Sequence, residues 1–179
     1  MRKSQKLLAE HIKAKGGVNG EIVKVDTFLN HLVDIELVKA IGEDIAEAFK
    51  DKGINKILTV EASGIVGAQA VGFYMDTNYI YAKKKIPCTM TDGFLCADSF
   101  SFTKNEHTTL YVSKEVISSE DKILFVDDFF AKGNTFKAIK NIADQAGAEI
   151  VACAVVIDKQ GRDDVYSILT LDEIKEYCK

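Results

Sequence analysis

The stretch Ile123-Leu-Phe-Val-Asp-Asp-Phe-Phe-Ala-Lys-Gly-Asn-Thr135 reads as a buried strand, an acidic tip, a short glycine loop and the first turn of a helix. Four consecutive apolar residues fit a strand covered on both faces. Gly133 opens a helix expected over 134–146, and Gly147 ends it. The backbone N–H groups of such a loop, with the helix N-terminus behind them, form a cradle for a phosphate. Carboxylates on the same strand end, Asp127 and Asp128, can accept hydrogen bonds from vicinal hydroxyls and lie close to a hydrated Mg²⁺. A ligand with a ribose beside a terminal phosphate matches both halves. An apolar strand ending in two aspartates is also the acidic motif of many P-loop ATPases, and one aspartate can serve simply as a helix cap. The chain has neither G-x-x-x-x-G-K-[ST] nor G-x-G-x-x-G, so the ATPase and Rossmann readings lack their phosphate sites.

Working outward, strand and helix patterns alternate. Residues 3–14 carry Leu7, Leu8 and Ile12 at helical spacing, and Glu21–Asp26 is a short strand-like run. Helix 34–52 presents Ile35, Val38, Ile41, Ile45 and Phe49 as one stripe, with Gly53 after its end. Strand Lys56–Val60, the turn Glu61-Ala-Ser-Gly64, helix 65–75 and strand Tyr79–Ala82 follow. Residues 83–119 break the pattern with a basic run, the lone proline and short alternating stretches, and read as a long hairpin or loop inserted between two halves of a sheet. Strand 149–157 and a final short helix near 171–178 complete the chain. The fold class is α/β, a parallel sheet flanked by helices. Ligands bind at the carboxyl ends of such strands, which directs attention to Glu61–Gly64, Lys83–Lys85, Asp127–Thr135 and Asp158–Lys159.

Composition narrows the function classes. With 179 residues the chain suits one domain, and 47% apolar with 28% charged residues describes a globular protein. There is one proline, Pro87, where average usage would give about nine, so no proline-rich linker divides the chain. A net charge of −4 argues against generic nucleic-acid binding. Four cysteines without a C-x-x-C pair, and three histidines far apart, offer no metal-ligand spacing. No run approaches the ~18 apolar residues of a membrane span, and no apolar stretch follows the first six residues as in a secretory leader. A reducing cytoplasm is the expected compartment.

The 13-residue segment resembles the phosphoribosyl pyrophosphate motif of the type I phosphoribosyltransferases. Further stretches resemble the xanthine branch of their purine enzymes: Lys24-Val-Asp-Thr-Phe-Leu-Asn-His31, Thr59-Val-Glu-Ala-Ser-Gly-Ile65, Ser101-Phe-Thr-Lys104 and Gln145-Ala-Gly-Ala148. They lie in order over residues 21–159. The resemblance implies one domain over 1–179, with an N-terminal hood over about 1–33 and a flexible insert over about 83–119. It implies that Ala131, Lys132, Gly133, Asn134 and Thr135 cradle the 5-phosphate and that Asp127 and Asp128 face the ribose hydroxyls. Ser63 and Gly64 match the loop that holds pyrophosphate, and Lys104 falls in the loop that closes over the reacting centre. Lys83 or Lys84 matches a basic residue reaching pyrophosphate across a homodimer interface. Val23, Asn30 and Lys159 fall on base-contacting positions. Mg²⁺ is implied as a cofactor held mainly through the substrate's pyrophosphate and ribose, with no protein metal site; nucleic acid and membrane are not implied as partners. The segment after Lys159 is shorter than the resemblance leads one to expect. Two alternatives stay open: transfer to guanine, hypoxanthine or adenine, and a non-catalytic nucleotide-binding regulator on the same fold.

Overall fold

The computed structural model describes residues 1–88, 90–101 and 106–179. Five parallel strands form the central sheet: β3 (Lys56–Val60), β4 (Tyr79–Ala82), β7 (Lys122–Phe130), β8 (Glu149–Asp158) and β9 (Tyr166–Thr170). Their order is β4-β3-β7-β8-β9. The chain enters at β3, steps outward to β4, then returns to lay β7 on the other side of β3. The connections leaving β3 and β7 therefore run in opposite directions, and the crevice between their carboxyl ends is where an open α/β sheet binds ligands.

Alternation along β7 builds both layers. Leu124 and Val126 join the cluster that buries helices α1 (Lys3–His11), α2 (Ile35–Phe49) and α3 (Gly64–Met75). Ile123 and Phe125 face the other cluster, with Ile139 and Ile142 of α4 (Asn134–Ala146). Leu124 and Ile123 are both fully buried, as the unbroken apolar run predicts. Helix α2 starts at Asp34, whose carboxylate accepts the Leu37 N–H at 3.1 Å. Helix α4 ends at Gly147, in the left-handed conformation at φ 73°.

The insert is a hairpin of β5 (Phe94–Ser101) and β6 (Glu106–Ser113), antiparallel and in continuous register. Its strands are docked: Leu95, Leu110 and Val112 pack with α4, and Gln145 Nε2 donates to the Cys96 carbonyl at 2.8 Å. The N-terminal segment differs from the sequence expectation. Helix α1 stops at His11 and passes into a π-helical turn, Ile12–Gly16, while the strand expected over 21–26 shrinks to β2 (Ile22–Val23), paired with β1 (Val18–Asn19). A second π-helical turn, Asp26–Asn30, follows, anchored by the buried Phe28 and Leu29. Strand β9 was not anticipated. It leads directly into α5 (Leu171–Tyr177), which Thr170 and Glu173 cap reciprocally.

The two ends of the chain meet. Arg2 bonds the Tyr166 hydroxyl and donates to the Ser167 carbonyl at 3.2 Å, and Gln5 donates to the Ile168 carbonyl at 3.1 Å. The Tyr166 hydroxyl also donates to Asp44 at 3.3 Å, and its ring meets Phe49 edge-on. Among the described residues, no helix is long and apolar enough to cross a membrane.

Candidate active site

Strand β7 runs four residues beyond Val126, so Asp127 and Asp128 lie within it. Phe129 and Phe130 extend the pairing to Ile157 and Asp158 of β8. The chain then turns through Ala131 and Lys132 to Gly133, whose φ of 76° is left-handed, and a Cβ there would stand 3.0 Å from the Phe130 ring. Helix α4 begins immediately after. Its first turn and the preceding loop line a cleft of about 150 Å³, bordered across from them by Lys159, Gln160 and Glu21. The N–H groups of this turn, with the partial positive charge of a 13-residue helix behind them, suit an anion.

A second cavity, of about 290 Å³, adjoins the first and shares Asp127, Phe129 and Thr135 with it. Glu61, Ser63, Lys84 and Asp128 also line it. Glu61 and Ser63 come from the turn after β3, in which the Glu61–Ala62 peptide is cis. Lys84 follows β4, and its backbone N–H donates to Glu61 Oε1 at 2.6 Å. The loops leaving three adjacent strands thus converge on the carboxylate pair.

That pair is tightly held. Asp127 Oδ1 accepts the Asp128 N–H and Asp128 Oδ1 accepts the Phe129 N–H, each at 2.9 Å. The other oxygen of Asp128 accepts from Asn30 Nδ2 at 2.9 Å. Burial, and after it the charge of Asp128, pushes the Asp127 carboxyl well above the usual carboxylate range. Behind it, α3 begins at Gly64, where a Cβ would lie 2.1 Å from Thr59 Oγ1 and 2.8 Å from Asp127 Oδ1. Only glycine fits that approach. The Thr59 hydroxyl is fully buried and, among the described residues, has no hydrogen-bond partner.

No family model matches the chain. Curated relatives do. Xanthine phosphoribosyltransferases of Staphylococcus aureus strains JH9 and Newman are 45% identical over 154 residues, covering 86% of this chain and 80% of theirs. The chain belongs to the xanthine phosphoribosyltransferase family. Solved adenine phosphoribosyltransferases share its fold. The Trypanosoma brucei enzyme aligns with a TM-score of 0.76 at 13% identity, over 98% of this chain and 83% of that one. The Rhodothermus marinus enzyme gives 0.72 at 21% identity, over 93% and 99%.

Of the residues singled out in this xanthine phosphoribosyltransferase family member, Asp127 and Ala131–Thr135 line the first cleft together with Lys159, while Asp127, Asp128, Ser63 and Thr135 line the second. Lys159 is pinned by its N–H to the Phe130 carbonyl at 2.8 Å, and its ammonium lies 5.1 Å over the Phe129 ring. Asn134 does not present a free amide: its Nδ2 donates to the Phe100 carbonyl of β5 at 2.8 Å. Val23 is a core residue, 6% exposed. Lys83 pairs through its backbone with Tyr111 and places its ammonium over the Tyr81 ring; within one chain it is Lys84 that lines the cavity. Lys104 lies outside the described residues. Sequence reasoning marked the Glu61–Gly64 turn but gave Glu61 no role, and it overlooked Glu21. Glu61 carried a signal, being the first residue past a buried strand. Glu21 carried none, because only the hairpin of β1 and β2 brings it to the cleft.

Among the described residues, no group of three or more His, Cys, Asp or Glu is gathered to hold a metal ion by itself. Glu61, Asp127 and Asp128 line one cavity without forming such a group, so they fit magnesium only as outer oxygen partners of an ion carried in by a polyphosphate.

Proposed function

We propose that the chain transfers the 5-phosphoribosyl group of phosphoribosyl pyrophosphate to N9 of xanthine, releasing xanthosine monophosphate and pyrophosphate. The observation that carries this reading is the carboxylate pair in a cavity with its own lysine, Asp127 of that pair also lining the adjoining anion cleft, in a chain 45% identical to xanthine phosphoribosyltransferases. The 5-phosphate would sit on Ala131, Lys132, Gly133, Asn134 and Thr135, at the start of α4. Asp127 and Asp128 would accept hydrogen bonds from the ribose hydroxyls. Ser63, the Gly64 turn and Lys84 would hold pyrophosphate, with Lys104 closing over it and Lys83 available to a neighbouring subunit. Val23, Asn30 and Lys159 would meet the base.

The reaction needs no covalent nucleophile from the protein. The bond from C1 to the pyrophosphate oxygen breaks as N9 of xanthine bonds to C1, and the N9 proton is lost to solvent. Charge at the ribose becomes positive in the transition state, where two preorganised carboxylates stabilise it more than they stabilise the ground state. Fixing both substrates at the carboxyl ends of the same strands supplies orientation. Magnesium, when bound, would neutralise the leaving group; Glu61, Asp127 and Asp128 are the residues that would surround it. We further propose a homodimer, and a cytoplasmic setting in keeping with four free cysteines.

Pyrophosphate release measured in parallel with xanthine, guanine, hypoxanthine and adenine tests the reading. Release is expected to be fastest with xanthine and to stop on chelation by EDTA. No release with any of the four bases would overturn it. Light scattering should give a mass about twice that of the 19.7 kDa chain.

A further inference from the structure

Asn30 closes the π-helical turn Asp26–Asn30, 98 residues before Asp128, yet its Nδ2 donates to Asp128 Oδ2 at 2.9 Å. With the Phe129 N–H on Oδ1, both oxygens of the Asp128 carboxylate are fixed, one by its own strand and one by the N-terminal segment. The turn that carries Asn30 is itself rigidly placed. Phe28 and Leu29 are both buried, the N–H groups of His31 and Leu32 both bond the Asp26 carbonyl, and the Asp34 N–H bonds the Phe28 carbonyl. The orientation of the Asn30 amide is dictated as well. The NH₂ end donates to Asp128 Oδ2, which accepts. That leaves Asn30 Oδ1 buried and, among the described residues, without a partner, an acceptor retained although such an orphan is costly. The geometry is that of a side chain serving its carboxylate neighbour first.

We propose that Asn30 is a positioning residue for Asp128: it holds the carboxylate in the orientation that receives the ribose, whether or not a base is bound. This rests on the transferase reading above and deepens it, because it links the N-terminal segment to the sugar as well as to the purine. A residue that touched only the base would leave the affinity for phosphoribosyl pyrophosphate alone unchanged. Asn30 acting through Asp128 would not.

The test is calorimetric titration of the full-length chain with phosphoribosyl pyrophosphate and Mg²⁺, with no base present, for the wild type, Asn30→Ala, Asp128→Asn and the double variant. Asn30→Ala is expected to weaken binding about tenfold, the loss typical of a hydrogen bond to a charged group. Asp128→Asn weakens it too, and the double variant should bind within about twofold of Asp128→Asn, since the two residues act as one unit. Melting curves establish that each variant folds; if Asn30→Ala does not, Asn30→Ser, too short to reach Asp128, takes its place and is read in the same way. Equal affinity in wild type and Asn30→Ala, or losses that simply add, overturns the inference alone. A wild-type chain that binds no phosphoribosyl pyrophosphate overturns the transferase reading and this inference with it.

Discussion

Burial and the adjacent Asp128 charge keep the proton on Asp127 well above the pH at which a carboxyl usually loses it. An acid of this kind binds its proton more tightly in the folded than in the unfolded chain. Folding stability is therefore lost as pH rises from the ordinary carboxyl value through the raised one. Replacing the carboxyl by a neutral isostere removes that loss. Asp127→Asn should raise the melting temperature at neutral pH by about 2–4 °C for each kcal/mol relieved, while lowering turnover by about a hundredfold or more. Scanning calorimetry and a pyrophosphate assay on the same sample check the two signs together. Gly64 faces the same carboxyl from behind. Gly64→Ala places a methyl group against Thr59 Oγ1 and Asp127 Oδ1 and should cost roughly 1–3 kcal/mol. Adding Thr59→Ala, which removes the closer of the two clashes, should recover part of that loss in urea titrations.

Helices α2 and α3 cross where Gly42 meets the backbone of Ala70, and a Cβ at position 42 would lie 2.8 Å from the Ala70 carbonyl carbon and oxygen. Because the obstruction is backbone, the helices must separate to admit it. Gly42→Ala should destabilise by about 1–3 kcal/mol and leave the KM for both substrates unchanged. At the start of α2, Asp34 accepts the Leu37 N–H and also meets His11 Nε2 at 3.0 Å; Asp34→Ala should cost about 1 kcal/mol in urea unfolding. Elements such as β7 and α4 were legible in the sequence because an unbroken apolar run, a glycine and an amphipathic stripe are local signals. Strand β9 was not. Its five residues gain their identity from parallel pairing with β8, a contact the local pattern does not contain. The π-helical turns escaped for a similar reason, being stabilised by burial of Phe28, Leu29 and Ile12 rather than by any capping residue. At the site, the phosphate cradle could be read from Gly133 and its neighbours, whereas the bond from Asn30 to Asp128 spans half the chain.

Both hydrophobic layers draw on a single strand, so the molecule should unfold as one unit. Leu8 is fully buried in the layer shared by α1, α2 and α3. Leu8→Ala, at the far end of the chain from β9, is expected to cost about 2–5 kcal/mol. Circular dichroism and tyrosine fluorescence, the latter unmasked because the chain has no tryptophan, should give coincident urea transitions. Such coincidence would also mean that the N-terminal segment is integral to the fold and not an appended cover. The joint between the two chain ends carries its own spectroscopic marker. Burial, and then the nearby Asp44 carboxylate, pushes the Tyr166 phenol up to about 12. The neutral phenol is thus preferred in the folded state, and its contribution to stability, intact below about pH 10, is lost as alkali carries the solution toward pH 12. The tyrosinate absorbance of Tyr166, isolated by difference against Tyr166→Phe, would accordingly appear at about pH 12 while the chain ends stay joined and at about pH 10 once they part, which makes an ultraviolet titration a record of that joint.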